Sequence, residues 1–251
     1  MIDDIFEVEQ PASFPPLFTG EAVSETTDPF AKACAQAMIG VDAGLLVHSI
    51  SPDSIRAAIV FAPESPLEQA MIALIACGVG FQNAMGALAP AEVAVHLGWQ
   101  GEIYVNGGKA GRLRAAASSD DPSVEPDWLV IGLELDLLPR GRGDGEAGDN
   151  PNDTCLMMEG CGDISPIRLL EAWSRHTLVW LNDINTDGPR ALHEQWRGLV
   201  KDIGKDITLA VEGGISGTFV GIDDAFGLLL RDGIQTRLIP LSSCLEIGDQ
   251  P

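Results

Sequence analysis

Basic residues are scarce in this chain. Its 251 residues carry 15 Lys and Arg against 37 Asp and Glu, a formal net charge of −22. So acidic a protein repels phosphate backbones and anionic headgroups, which argues against non-specific nucleic-acid binding and against docking on an anionic membrane. It suits solubility, or basic partners and carriers. Cysteine is also thin: Cys34, Cys77, Cys155, Cys161 and Cys244 are scattered, odd in number and without a Cys-x-x-Cys pair. No zinc site is expected, and the expected compartment is a reducing cytoplasm. The opening MIDDIFEVEQ lacks the basic start and apolar core of a signal peptide. Charge is missing altogether from Ala70 to Ala91, but Gln82, Asn83, three glycines and Pro90 interrupt that run. Ser65-Pro66-Leu67-Glu68 precedes it as a serine cap, a first-turn proline and an acid at the capping-box position, so a helix buried within a core is predicted rather than a membrane span.

What is present reads as alternating strands and helices. Residues 1–24, rich in Pro, Phe and acid, are expected to drape over the surface. Thr27 or Asp28 caps a helix over 29–39. Strands are predicted over 44–48 and 55–62, separated by the turn Ser51-Pro52-Asp53, and the capped helix runs over 66–88. A strand system spans 93–117, and Trp128–Leu138 is a buried strand. The Gly/Asp/Pro stretch 140–153 is too polar to pack, and its Arg-Gly-Arg-Gly lacks the strand-to-helix setting of a phosphate loop. Thr154–Glu159 reads as an edge strand, and helices follow over 167–182, capped by Ser165, and 189–200. Trp173, Trp180 and Trp196 recur at helical spacing as packing anchors. The tail, with short strands over 207–212, 216–222, 227–231 and 235–240, reads as a small β-barrel. The expected boundary falls near Lys205, giving domains 1–205 and 206–251.

The most informative stretch is Val93–Arg114. Alternation in Glu102–Val105 and Arg112–Arg114 fits half-buried strands, and Gly107-Gly108 is a hairpin signal that delivers Lys109 onto the next strand. Trp99-Gln100-Gly101-Glu102, then Tyr104, then Lys109 with Gly111 two residues on, resembles the central motif of the biotin protein ligases and lipoate ligases. That motif is Trp-Pro-Asn-Asp, a strand with an aromatic, and a lysine followed shortly by glycine. Here Pro and Asn are replaced, Asp has become Glu, and the glycine comes one place early. The order of elements extends the resemblance over about 25–245. Glu25-Thr26-Thr27-Asp28 stands where the family has Ser-Thr-Asn, Val130–Asp136 where it has its Ile-Gly strand, and Trp196-Arg197 where it has a late Trp-Arg pair. Gly217–Asp223 with Gly227–Leu230 stands where the family has the motifs of its SH3-like barrel.

The resemblance implies an α/β fold, a mixed sheet covered by helices, with a small C-terminal SH3-like barrel. It implies ATP-dependent activation of biotin or a lipoate-like acid, with ATP and Mg²⁺, and transfer to a carrier-protein lysine. Lys109 would be the catalytic cation between carboxylate and α-phosphate, where two anions must meet. Trp99, Glu102, Gly111 and Arg112 would bind substrate: Trp99 as a wall of the acyl pocket, Glu102 on Mg²⁺ or ribose, Arg112 at the rim. The other reading of Lys109 is a solvated hairpin lysine. One departure weighs against chemistry. Where the family carries a long Gly/Arg-rich loop, this chain has only His48–Ser54, without glycine and with no arginine before Arg56. A reactive adenylate could not be enclosed in the family's way. His48 is the titratable base there. Two readings stay open, a ligase and a small-acid or nucleotide-binding protein that keeps the fold. A third, an acyl transferase, would need a cysteine beside Lys109, and none matches. With an acidic, proline-rich start before the first helix, a DNA-binding repressor module is not expected.

Overall fold

The structure, a computed structural model, describes residues 12–139, 152–211 and 214–246. Most of the acidic start, the Arg-Gly-Arg-Gly loop and Glu212-Gly213 lie outside the described residues. Seven strands form the main sheet: β1 (Thr19–Ala22), β2 (Leu45–Ile50), β3 (Ser54–Phe61), β4 (Val95–Leu97), β5 (Glu102–Val105), β6 (Gly108–Ala117) and β7 (Leu129–Asp136). Their order is β1-β2-β3-β7-β6-β5-β4, parallel only between β1 and β2. The helices are α1 (Pro29–Met38), α2 (Leu67–Ala70), α3 (Ile72–Leu88), α4 (Pro166–Asp187) and α5 (Arg190–Leu199). A separate antiparallel sheet follows, of β8 (Asp206–Leu209), β9 (Ile215–Ile222), β10 (Leu228–Asp232) and β11 (Gln235–Ile239), in the order β11-β10-β9-β8. This α/β architecture, a helix-covered mixed sheet with a small C-terminal sheet consistent with an SH3-like domain, is the one expected.

Helix α3 organises the packing. It is apolar all round, and such a helix must be enclosed on every side. Residues 73–81, Ala84 and Met85 are buried. The stretch Leu67–Leu88 is long and apolar enough to cross a membrane, but two-thirds of it lies inside the fold. One flank meets the inner face of the sheet, formed by Leu46, Ile59, Leu113, Ile131 and Leu133. The other meets α4, which Asp28-style capping by Ser165 begins and which donates Trp173 Nε1 to Cys77 O at 3.0 Å and Trp180 Nε1 to Asn83 Oδ1 at 2.8 Å. Phe219, Leu228 and Leu230 of the second sheet join the same core. The opposite, outer face of the main sheet is only half covered. There α1, N-capped by Asp28, lays Phe30, Ala33 and Ala37 over Val47, Ala58, Val60 and Val130.

Four local expectations are corrected. The helix predicted over 66–88 divides at Met71, and no side chain caps its start at Pro66. Glu68 does not reach back to close a capping box. Its carboxylate accepts from Leu241 N at 2.8 Å and Ser242 N at 3.2 Å, two charge-assisted bonds that fasten the closing 3-10 turn Leu241–Cys244 to α2. Residues 154–159 form turns rather than an edge strand, because only Asp153 bridges β6, at Lys109. Part of the stretch expected to drape, Thr19–Ala22, joins the sheet as β1. The β5–β6 hairpin turns at Asn106-Gly107, one residue earlier than the Gly-Gly reading, and both residues have positive φ (49° and 94°), as a two-residue hairpin favours.

At Gly80 the backbones of α3 and α4 approach closely. A Cβ there would lie 2.8 Å from Thr177 N and 3.0 Å from Thr177 Cα, backbone atoms that cannot rotate away. Gly80→Ala is expected to destabilise the fold by about 1–3 kcal/mol through overpacking, more than the ~1 kcal/mol alanine gains in a helix. Denaturant unfolding measures this, and a gain in stability would show that α4 backs away freely.

Candidate functional site

The outer face beyond α1 is charged, and strand register shows which side chains share it. Directly opposed residues in antiparallel strands point to the same face. Glu102 opposes Arg112, Arg112 opposes Glu134, and Glu134 opposes Arg56, so four charged residues cross β5, β6, β7 and β3 in one row. Arg114 stands in the next row, opposite Gly132. Lys109 opposes Tyr104, which shares its face with Glu102. Lys109 and Arg112 are three residues apart, and strict alternation would send them to opposite faces. A bulge at Ala110 restores them to one face, since the pairing shifts by a residue between Ile103 and Tyr104.

The backbone of Lys109 is held on both sides. It pairs with Tyr104 on β5, while its N–H donates to Asn152 O at 2.7 Å and its carbonyl accepts from Thr154 N at 2.9 Å. Among the described residues its ammonium makes no ion pair. A second cation, Lys201 Nζ, lies 3.7 Å from the Tyr104 ring centroid. Nearby, Arg112 Nε donates to Glu134 Oε2 at 2.7 Å. Arg114 is more enclosed than Arg112. It donates to Glu134 Oε1 at 2.8 Å and to both oxygens of Glu246 at 2.6–2.9 Å, and lies 3.5 Å from Asp28 Oδ2. Its guanidinium sits 4.2 Å over the Phe30 ring. Gly132 makes that possible, because a Cβ there would strike the Phe30 ring. Burial pushes the Glu134 carboxyl up, but Arg112 and Arg114 together more than offset it and hold it below the usual range.

Two of the five candidates lie elsewhere. Trp99 is buried, and its indole donates to Phe226 O at 2.9 Å, tying the turn after β4 to the second sheet. The space beside its ring is about 10 Å³, at most a single water's worth, so no acyl chain lies against it there. Gly111 opposes buried Ile103 on the inner side. A Cβ there would strike Glu134 O and Leu135 Cα, so the glycine serves the close approach of β6 to β7. Glu102 shares the outer face, with its carboxylate tucked against Gly98. His48, expected in the short connection, lies within β2 on the same inner face as Leu46 and Ile50, opposite Ala57, and packs on Phe14 at 5.5 Å. Burial lowers its pKa. Burial also pushes the Cys34 thiol up to about 11, and those of Cys77 and Cys244 higher, so none of the three supplies a thiolate at neutral pH. Arg114, Glu134 and Lys201 were missed. Arg112-x-Arg114 at strand spacing signals the first; the others come from remote segments.

A cavity of about 740 Å³ opens on the other side of the sheet, between α2, the end of α4 and the 224–226 turn. Phe61, Ala73, Leu129 and Leu181 line it, with Glu64, Glu68 and Asp224 as its charged groups, and none of the five candidates touches it.

The depressed Glu134 carboxyl sets a pH dependence. Its stabilising pairing with Arg112 and Arg114 is fully present above its ordinary value of 4.5 and is lost as pH falls through the lower folded value. Thermal midpoints of the wild type and Glu134→Gln are expected to differ at pH 7 and to converge as pH falls below 4.5 through the lower folded value. A constant difference across that window would count against the pairing.

Comparison with known proteins bears on this face. Residues 14–198 match the biotin/lipoate A/B protein ligase family, and residues 208–247 match a separate domain of unknown function. A biotin–[acetyl-CoA-carboxylase] ligase of Paracoccus denitrificans is 24% identical over 175 residues, 69% of this chain and 72% of that protein. A crystal structure of a biotin protein ligase-like protein of unknown function from Silicibacter sp. is 53% identical, with a TM-score of 0.88 over 94% of this chain and all of the other. The biotin protein ligase of Aquifex aeolicus in complex with biotin and ATP shares the fold at 14% identity, with a TM-score of 0.68 over 88% of this chain and 95% of the other. The family match spans most of the chain, and its order of elements is the one laid out above: this chain belongs to the biotin/lipoate A/B protein ligase family.

Proposed function

We propose that this protein binds a small carboxylic acid, biotin or a lipoate-like acid, on the outer face of its sheet at Lys109 and Arg112, and that ATP-dependent activation and transfer to a carrier lysine are slow or lost. The observation that carries this is the β2–β3 connection. It is a tight turn at Ser51–Ser54, closed by Ser51 N to Ser54 O at 2.9 Å and by the Ser51 hydroxyl to Asp53 and Ser54. No chain is spare there to fold over a mixed anhydride and keep water from it. The 740 Å³ cavity is the poorer site for an acid, because its charged lining is entirely carboxylate and would repel another.

The ligase reading keeps one favourable observation, the placement of Lys109. A backbone anchored on both edges aims its ammonium without a competing ion pair among the described residues, as charge neutralisation between carboxylate and α-phosphate requires. Among the described residues no group of three or more His, Cys, Asp or Glu could hold a metal. Mg²⁺ would arrive on the phosphates of ATP, with Glu102 a carboxylate on the same face as Lys109. The domain boundary falls between Lys205 and Asp206, giving a ligase-like domain 1–205 and an SH3-like barrel 206–251. Separate matches over 14–198 and 208–247 support it. The acidic surface and unpaired cysteines suit a cytoplasmic protein with a basic carrier and no nucleic-acid or membrane partner.

Calorimetric titration with biotin, lipoate, octanoate and ATP, singly and in pairs, is expected to show binding of an acid. Pyrophosphate release should stay near background. Lys109→Ala should weaken the acid at least about tenfold while leaving the thermal midpoint unchanged, because the ammonium serves a ligand rather than the core. Rapid biotinylation of a carrier lysine by the wild type would overturn the loss of activity. Acid binding indifferent to Lys109 would overturn the site.

A further inference from the structure

We propose that Arg114 and Arg112 form an anion site that the chain's own Glu246 fills, and that an external carboxylate or phosphate takes this place when Leu245–Glu246 leaves the edge of β6. This deepens the reading of the outer face as the acid site and rests on it. Arg114 faces three carboxylates and Arg112 two of the same three, so the cluster carries one negative charge more than its cations balance. Two of these acids are committed to the fold. Glu134 stands on the central strand β7, and the Asp28 Oδ1 caps α1 through Phe30 N at 3.0 Å. Glu246 alone comes from outside both elements.

Among the described residues its backbone attachment to the edge is short, although Leu245 also packs against the main core. β5 covers the edge of β6 only as far as Arg112, with a last bond from Leu113 N to Gly101 O. Beyond it, Leu245 bridges Ala115, and Glu246 N donates to Ala115 O at 2.8 Å. The segment adds a minimal strand to an open edge, a mode of attachment that is readily exchanged. Its carboxylate meets the Arg114 guanidinium through both oxygens, the geometry that any carboxylate or phosphate would adopt on a planar fork. With Glu246 gone, one monoanion restores the present balance of charge. Because the internal acid competes intramolecularly, at an effective concentration of order mM, an external anion binds weakly until that competitor is removed.

Titration of octanoate and of inorganic phosphate into the wild-type chain, Glu246→Gln, Glu246→Ala and Glu246→Gln/Arg114→Gln tests this. Thermal unfolding confirms that each variant is folded, and the alanine variant removes even the amide oxygen that glutamine could still offer Arg114. At least one of the two anions should bind about tenfold or more tightly to Glu246→Gln or Glu246→Ala than to the wild type, and the double variant should lose that gain. Tightening for octanoate shows the acid itself at the arginines. Tightening for phosphate alone sustains the anion site while sinking the acid reading of the face. Octanoate binding that depends on Lys109 but is equal with and without Glu246 would overturn the anion site and leave the acid reading standing. Folded Glu246 variants with unchanged affinity for both anions would reduce Glu246 to a structural clip and overturn the inference.

Discussion

An uncharged helix has to be enclosed on every side, and α3 is the element to which the rest of this molecule is fitted. The inner face of the sheet takes one flank and α4 the other, with Gly80 drawing the two helices together and Trp173 bonding a backbone carbonyl of α3. The second sheet adds Phe219, Leu228 and Leu230 to the same core. Charge is thereby expelled to the outer face, where α1 covers one half and Arg56, Lys109, Arg112 and Arg114 stand on the other. In a chain with so few basic residues, four on one half of one face is a concentration of cations, and Arg112 and Arg114 there are paired with the chain's own carboxylates.

The same enclosure accounts for the fate of Trp99. A tryptophan after β4, at the junction of the main sheet with the second one, is worth more as a buried peg than as a pocket wall. Its ring fills the core, and its N–H satisfies Phe226 O, whose residue sits at a positive φ of 64° in the loop between β9 and β10. Glu68 on α2 and Trp99 together fasten the C-terminal segment at two points, through Leu241, Ser242 and Phe226. That fastening delivers Leu245–Glu246 to the edge of β6.

Shared ancestry of fold and divergence of site meet in the β2–β3 connection. The family match and the arrangement of strands speak for a ligase ancestor. Yet Ser51, Asp53 and Ser54 hydrogen-bond among themselves in a turn with no slack, which leaves no spare chain in that connection to close over a ligand. A ligase fold is compatible with binding alone, because activity resides in the site and not in the architecture.

Sequence by itself determined the class and order of the elements, the buried central helix, the cap at Ser165, a cap at Thr27 or Asp28 that the structure resolves as Asp28, and the four-stranded tail. These follow from local periodicity and turn chemistry, which a chain carries wherever it folds. It also determined that Glu102 and Arg112 are strand residues and that Lys109 follows a hairpin. Tertiary structure alone decided which of them share a face. One extra residue at Ala110 moves Lys109 across the sheet, and no periodicity announces a bulge. Glu68 abandoned its expected capping role for two amide donors 173 and 174 residues away. Arg114 found Glu246 at a separation of 132 residues. Partners so distant are chosen by packing, and packing is a property of the whole chain rather than of any window within it.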